Sequence, residues 1–297
     1  GHLGWHEDKK PFRMSEYNDV LRVATSVGDN WLDTSSTSLW TLKEAENTAQ
    51  LEVIGHLEDL GKTGEQLYAS RFIGDRGYLV TFLLTDPLYV LDLSDPTSPS
   101  VLGELEIEGY SDYLHPIDEN YILGIGKDAI ADIQSSDRLG RGAWYQGLKL
   151  SLFDVSDPGQ PREVNSIILG KRGTESDVLY DFHALAYLPP NELRGARLAI
   201  PVRLHENTPT FPGSDLTLPS TWYDPTHIGL YLFDINVTGD IGIKQQGKII
   251  AQQAQASNPT SGFWFNNFSQ TDRAVLKGDS VFYIHGTDVI PRNWFDF

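Results

Sequence analysis

Apolar and polar side chains alternate along this chain in short runs that recur with the same turn behind them. Residues 88–99 read Leu-Tyr-Val-Leu-Asp-Leu-Ser-Asp-Pro-Thr-Ser-Pro, and residues 150–161 read Leu-Ser-Leu-Phe-Asp-Val-Ser-Asp-Pro-Gly-Gln-Pro. Period-two alternation predicts a half-buried strand. The Asp/Ser/Pro cluster behind it predicts a turn, because short polar side chains bond back to the backbone and proline ends a strand ladder. Residues 101–107 and 164–169 alternate again, so each copy is strand, turn, strand. A weaker third copy, Ile-Gly-Leu-Tyr-Leu-Phe-Asp-Ile-Asn at 228–236, leads through Gly239 and Asp240 into the strand-like run 242–251. An all-strand unit recurring every ~40 to 70 residues predicts an all-β fold of the β-propeller type.

Laid out by this repeat, the chain divides into about four blades and a partial fifth, near 12–60, 67–108, 111–170, 179–251 and 263–297. In the first blade the strands are expected at 21–25, 38–42 and 50–57, and in the second at 67–72, 77–83 and the signature pair. The third carries an insertion at 128–147, and the fourth has inner strands at 182–188 and 197–204 before a longer, Pro- and aromatic-rich insertion at 205–226. Sheet edges left open would associate, so the expectation is a portion of a larger ring, completed by further sequence or by a second copy through its open blade edges.

Composition narrows the function. With 297 residues and 40% hydrophobic content the chain can bury a large core as one domain. Cysteine is absent, which removes disulfide and thiolate chemistry. A net charge of −18 repels nucleic-acid phosphate and anionic membranes, so neither is an expected partner. No apolar run is long enough for a helical membrane span, and no signal peptide precedes Gly1, which fits a mature or excised piece.

The stretch 68–82 (Tyr-Ala-Ser-Arg-Phe-Ile-Gly-Asp-Arg-Gly-Tyr-Leu-Val-Thr-Phe), the run from Asp86 to Pro96 and the segment 109–116 (Gly-Tyr-Ser-Asp-Tyr-Leu-His-Pro) resemble secreted bacterial proteins with a C-terminal β-propeller distantly related to WD40 repeats. The segment 12–25 is similar to that family's entry into the region, and the resemblance is most specific over 12–201. It implies a propeller forming the C-terminal part of a longer protein, secreted or at the cell surface. It implies no reaction.

Candidate chemistry falls at two kinds of place. His115 and His183 occupy similar positions in blades three and four, on what should be each innermost strand, with Asp112 and Asp181 just before them. Imidazole plus carboxylate suits a polar ligand or a weakly bound divalent metal in the channel; the alternative is a hydrogen bond that holds blades together. A stable metal site needs a third ligand, for which His2 or His6 are candidates. The Asp-Ser-Asp-Pro turns lack the ligand spacing of a calcium loop and read as turn caps. Abundant carboxylate leaves room for a structural Ca²⁺, with Asp128, Asp132 and Asp137 the next place to look; a solvated acidic loop is the simpler reading.

The segment Gly124-Ile-Gly-Lys127 lacks the third glycine and GK[ST] ending of phosphate loops, and there is no G-x-S-x-G nucleophile motif, so no catalytic residue is assigned. Trp144, Phe211, Trp222 and Tyr223 sit in the insertions and are candidates for a binding rim, while Trp40 fits a strand pattern and reads as core. The sequence therefore predicts an interaction module for a protein or carbohydrate partner, with no cofactor expected. The competing reading is a metal-dependent hydrolase or lyase centred on His115 and His183.

Overall fold

The computed structural model describes residues 1–3, 7–28, 34–62, 64–82, 86–131, 143–192, 194–211, 213–253 and 272–297. Among them, antiparallel strands form four sheets of four and one of three, each meandering in chain order. Contacts divide the chain into two compact units, Gly1–Tyr145 with Ser151–Val164, and Gln146–Leu150 with Asn165–Phe297.

The first unit holds β1 (Met14–Tyr17), β2 (Val20–Val27), β3 (Ser36–Glu44) and β4 (Leu51–Leu60), followed by β5 (Gln66–Ile73), β6 (Arg76–Phe82), β7 (Asp86–Asp92) and β8 (Ser100–Ile107). The third sheet comprises β9 (Tyr110–Pro116), β10 (Tyr121–Ala131), β11 (Ala143–Asp154) and β12 (Arg162–Leu169), and the chain passes into the second unit along β11 and β12. That unit continues with β13 (Ala186–Leu188), β14 (Ala196–Pro209), β15 (Tyr223–Asn236) and β16 (Gly242–Gln253), then β17 (Arg273–Lys277), β18 (Ser280–His285) and β19 (Asp288–Asn293).

The signature runs are strands, β7 and β11, joined to β8 and β12 by the expected turns. Asp92 Oδ1 accepts the Ser94 N–H at 2.9 Å and Asp154 Oδ1 that of Ser156 at 3.0 Å, so each Asp caps its own turn. Middle strands are apolar on both faces because both are covered. Tyr78, Val80, Leu88 and Val90 of the second sheet bury against Leu114, Ile122, Phe153 and Val155 of the third. Outer strands such as β8 and β12 alternate instead, with one face in water.

Several expectations need correction. The strand β1 was not foreseen: its four residues are mostly exposed and carry no apolar period. The segment 182–188 is only in part a strand, since Phe182–Ala184 is a 3-10 turn capped by Asp181, whose side chain accepts the His183 N–H. Gly124 to Lys127 lies inside β10, with a bulge between Ile125 and Gly126. There a Cβ on Gly126 would sit 1.7 Å from the Tyr110 carbonyl oxygen, so this glycine serves strand pairing. The described residues of the 128–147 insertion are strand, which places Trp144 in β11; Asp128 is in β10, whereas Asp132 and Asp137 lie outside the described residues, as does His6.

Turns and outer strands lock neighbouring sheets. Gly55 of β4 and Gly103 of β8 each face a register shift. The Asp-Ser-Asp-Pro turn of the next sheet comes down on each: a Cβ on Gly55 would lie 2.3 Å from Pro96 O, and one on Gly103 would lie 2.5 Å from Pro158 O. The buried Thr41 hydroxyl reaches both Gly55 O (2.9 Å) and Pro96 O (2.5 Å). In the second unit Gly247 of β16, also beside a register shift, is covered by Phe297, where a Cβ would lie 2.3 Å from the ring.

Candidate functional site

In the first unit the anticipated His–Asp pairing does not form. Asp112, buried on β9, is ion-paired with Lys9, while the half-buried His115 has Nδ1 3.2 Å from the Tyr113 hydroxyl. The cause is local geometry: Tyr113 and His115 pair in register with β10, whereas Asp112 is the extra residue of the bulge between Ser111 and Tyr113. Burial, reinforced by the nearby Arg71 charge, pushes the His115 imidazole down to about 4, so it is neutral in neutral solution. Arg13 is buried behind this strand, with one guanidinium nitrogen donating to Leu67 O (2.7 Å) and Tyr68 O (3.1 Å), and burial lowers it to about 10 against the pull of Asp112.

In the second unit Asp181 does meet His183, whose Nδ1 is 2.8 Å from Asp181 Oδ1, but the imidazole is exposed on the 3-10 turn before β13. The correction has a local reason: Asp181 caps the turn, and a capped 3-10 turn cannot also be the start of a strand. Burial raises the Asp181 carboxyl, but the His183 N–H and ring and the Arg273 guanidinium outweigh it and hold it below the usual carboxylate range. His115 and His183 fall in different units, each with its own partner.

Beside Asp181 lies a network that sequence reasoning missed. Arg273 at the start of β17 donates to Asp181 Oδ2, and the preceding residue, Asp272, is buried. Asp272 accepts from the Tyr283 hydroxyl (2.5 Å) and lies 2.9 Å from His285 Nδ1, both on β18. Its own N–H donates to Asp177 Oδ2 at 3.2 Å. Asp177, on the 3-10 turn Asp177–Leu179, is pushed up to about 6, chiefly by burial and then by the Asp272 charge. Asp272 thus holds the His285 ring by its Nδ1 and ties β18 to the 3-10 turn through Asp177. The partners come from positions 177, 181, 272, 273, 283 and 285, a separation no short motif records. The nearest signal was Asp181–His183. Neither imidazole is hydrogen-bonded to a hydroxyl nucleophile among the described residues, and no group of three or more His, Asp or Glu side chains there is arranged to hold a metal ion.

The insertion 205–226 is the third locus. It extends the β14–β15 hairpin as far as the pair Pro209↔Tyr223 and ends in the loop 210–222. Tyr223 is therefore a strand residue with the Lys171 ammonium 4.3 Å above its ring, and Trp222 carries the Arg172 guanidinium 4.7 Å from its own. Both are half-buried at the base and fix the loop to its scaffold, where the sequence had placed them on a rim. Trp144 is likewise half-buried. Phe211 is the rim candidate that projects, at 53% exposure, joined by Leu216 at 64% and Leu218 at 52%. The loop is bonded to itself: Asp215 Oδ1 accepts the Thr217 N–H at 2.9 Å, Thr221 Oγ1 donates to Asp215 O at 2.6 Å, and Gln146 Nε2 donates to Pro219 O at 2.9 Å.

Five meandering antiparallel sheets, packed blade on blade through their middle strands within each unit, define an all-β protein of the propeller class. The beta propeller domain family matches residues 7–294, and the chain belongs to it. An uncharacterized protein of Methanocaldococcus jannaschii is 42% identical over 177 residues, 59% of this chain and 25% of that protein. An uncharacterized protein of Archaeoglobus fulgidus is 43% identical over 173 residues, 58% of this chain and 23% of the relative. The chain thus spans about a quarter of the length of these curated relatives, and both are archaeal, where the sequence resemblance had suggested bacterial proteins. Among solved structures, Sqt1 from Chaetomium thermophilum is similar over 90% of this chain and 66% of its own, at 13% identity and a TM-score of 0.40, a likeness too loose to bear on function.

Proposed function

We propose that this propeller is an interaction module, acting at the cell surface or outside the cell, that binds a protein partner through the tip of the β14–β15 hairpin. The observation that carries this reading is the tip itself: Phe211, Leu216 and Leu218 stand more than half exposed on a loop whose base and turns are hydrogen-bonded in place. Large apolar side chains held rigidly in water are what a binding anchor requires, since little ordering remains to be done on association. Aliphatic side chains favour a protein groove over a sugar face, and Glu206, Asp215 and Asp224 around the tip suit a groove with a basic rim. Resemblance over 12–201 to secreted proteins supports the location.

Because Pro209 and Tyr223 are already strand partners, residues 210–222 can be replaced by a two-residue Asn-Gly turn. The shortened protein should keep its circular dichroism and lose retention of whatever cell-surface protein the intact chain captures from a homologous extract. Capture that survives the replacement contradicts the proposal.

A further inference from the structure

We propose that the open face of the first sheet (β1–β4) is a docking surface for a second copy of this chain, which meets it head to tail with the open face of its own fifth sheet (β17–β19). Strand register defines both faces, because directly opposed partners share one side of a sheet. Across the first sheet the rows Glu16–Leu21–Leu42–Val53 and Met14–Val23–Trp40–His56 lie on one side, with Leu51 beyond them. The other side, with Ala24 and Leu39, is buried against Leu79 and Leu91 of the second sheet. Across the fifth sheet the rows Val275–Phe282–Pro291 and Arg273–Ile284–Val289 share one side, while Val281 and Tyr283 on the other are buried against Leu230 and Leu232 of the fourth. Both open faces reach water: Val53 is 53% exposed and Val289 59%.

Two observations choose the occupant. The first is shape: a pleated face with adjoining apolar rows is what one sheet of this chain buries against the next, so the surface that fits it is another such sheet. The second is charge. Glu16 and Glu44 stand on the first face, where a groove of about 760 Å³ over Leu21, Leu42 and Leu51 is also lined by Asp19 and Glu46, against the single cation Lys43. The fifth face carries Lys277 and Arg273, the latter already paired with Asp181, and no acidic residue. Two copies of the first face would repel each other, whereas the fifth face of a second copy complements it. A contact between unlike faces leaves one of each free, so copies add head to tail until a ring closes or the array grows.

Light scattering on the 297-residue chain as a function of concentration tests this. The parent should associate, and more weakly as salt rises, since the charged rims are exposed. Val53→Glu spoils only the first face and Val289→Glu only the fifth, each by placing a carboxylate among apolar side chains, and each alone should associate at least roughly tenfold more weakly. At these exposed positions both should melt like the parent. Mixed in equal amounts, the two variants should form a one-to-one dimer and stop there, because the intact first face of Val289→Glu meets the intact fifth face of Val53→Glu. The inference is overturned if the parent is monomeric throughout, if either variant alone associates like the parent, or if the mixture stays monomeric. A readout that needs no variant is carbodiimide coupling in a mixture of isotope-labelled and unlabelled parent: Lys277 joined to Glu16 or Glu44 between a labelled and an unlabelled chain supports the contact. Such pairs confined to one chain, or absent, overturn it.

Discussion

Gly103→Ala should lower stability by about 3 kcal/mol, near the upper end of the usual cost of overpacking. A methyl there would stand 2.5 Å from the Pro158 carbonyl oxygen and 2.9 Å from Gly159, all backbone atoms with no rotamer to escape into. The turn of the third sheet would have to lift off β8, taking with it the ordering it brings to both sheets. Gly55→Ala should behave alike, its methyl 2.3 Å from Pro96 O. The control is Gly278→Ala, where φ is +58° but no atom lies within 4 Å of a Cβ, so only the ~1–2 kcal/mol of left-handed backbone strain applies. Thermal melting should show Gly103→Ala lowering Tm by roughly 5–10 °C. Equal losses in Gly103→Ala and Gly278→Ala would mean that the turn does not latch onto the strand.

Asp177→Asn should stabilise the protein by about 2 kcal/mol at pH 7.5, on the scale of 1.4 kcal/mol for each pH unit of displacement. In the fold the Asp177 carboxyl is pushed up to about 6 by burial and by Asp272, against an ordinary value of 3.8. Between those limits the folded state binds more protons than the unfolded one, so this carboxyl's contribution to stability is most favourable below pH 3.8 and is lost as pH rises through 6. Asparagine removes the charge and keeps an oxygen for the Asp272 N–H, so its advantage should be present above pH 6 and vanish toward pH 4. Urea unfolding at pH 4.5, 6 and 7.5 gives the comparison. An advantage that does not grow with pH would show that Asp177 is ionised at no cost.

These two sites also mark where sequence stops being informative. The strands were legible because alternation is local: the runs before the Asp-Ser-Asp-Pro turns could bury one face only as strands, and β7 and β11 do. The turns were legible because each Asp caps a residue two places on. What those turns lean on was not, since Gly103 and Pro158 are related by blade packing, and a glycine inside an alternating run gives no sign of what crosses it. The exposed β1 strand was missed because it buries almost nothing.

The candidate site shows the same limit from the side of charge. His183 with Asp181 could be found, two residues apart, but Asp177 meets Asp272 across 95 positions and Lys9 meets Asp112 across 103. At His115 spacing suggested a carboxylate partner, but Asp112 sits in a bulge of β9 and pairs with Lys9, while His115 meets Tyr113. Aromatic content at 205–226 drew attention to this loop without telling its residues apart: cation–π contacts hold Trp222 and Tyr223 at its base, while Phe211 and two leucines without any sequence signal stand exposed toward the tip.

The claim that matters most is that the hairpin tip is the binding face, and site-specific photo-crosslinking tests it most directly. A benzophenone side chain is placed at Leu216, and in a second protein at Val53 of β4, which is also more than half exposed but belongs to a blade surface. Illumination in the presence of the captured partner should give a discrete adduct with that partner from position 216 and none with it from position 53. An adduct with the partner from position 53 and none from position 216 would contradict the account.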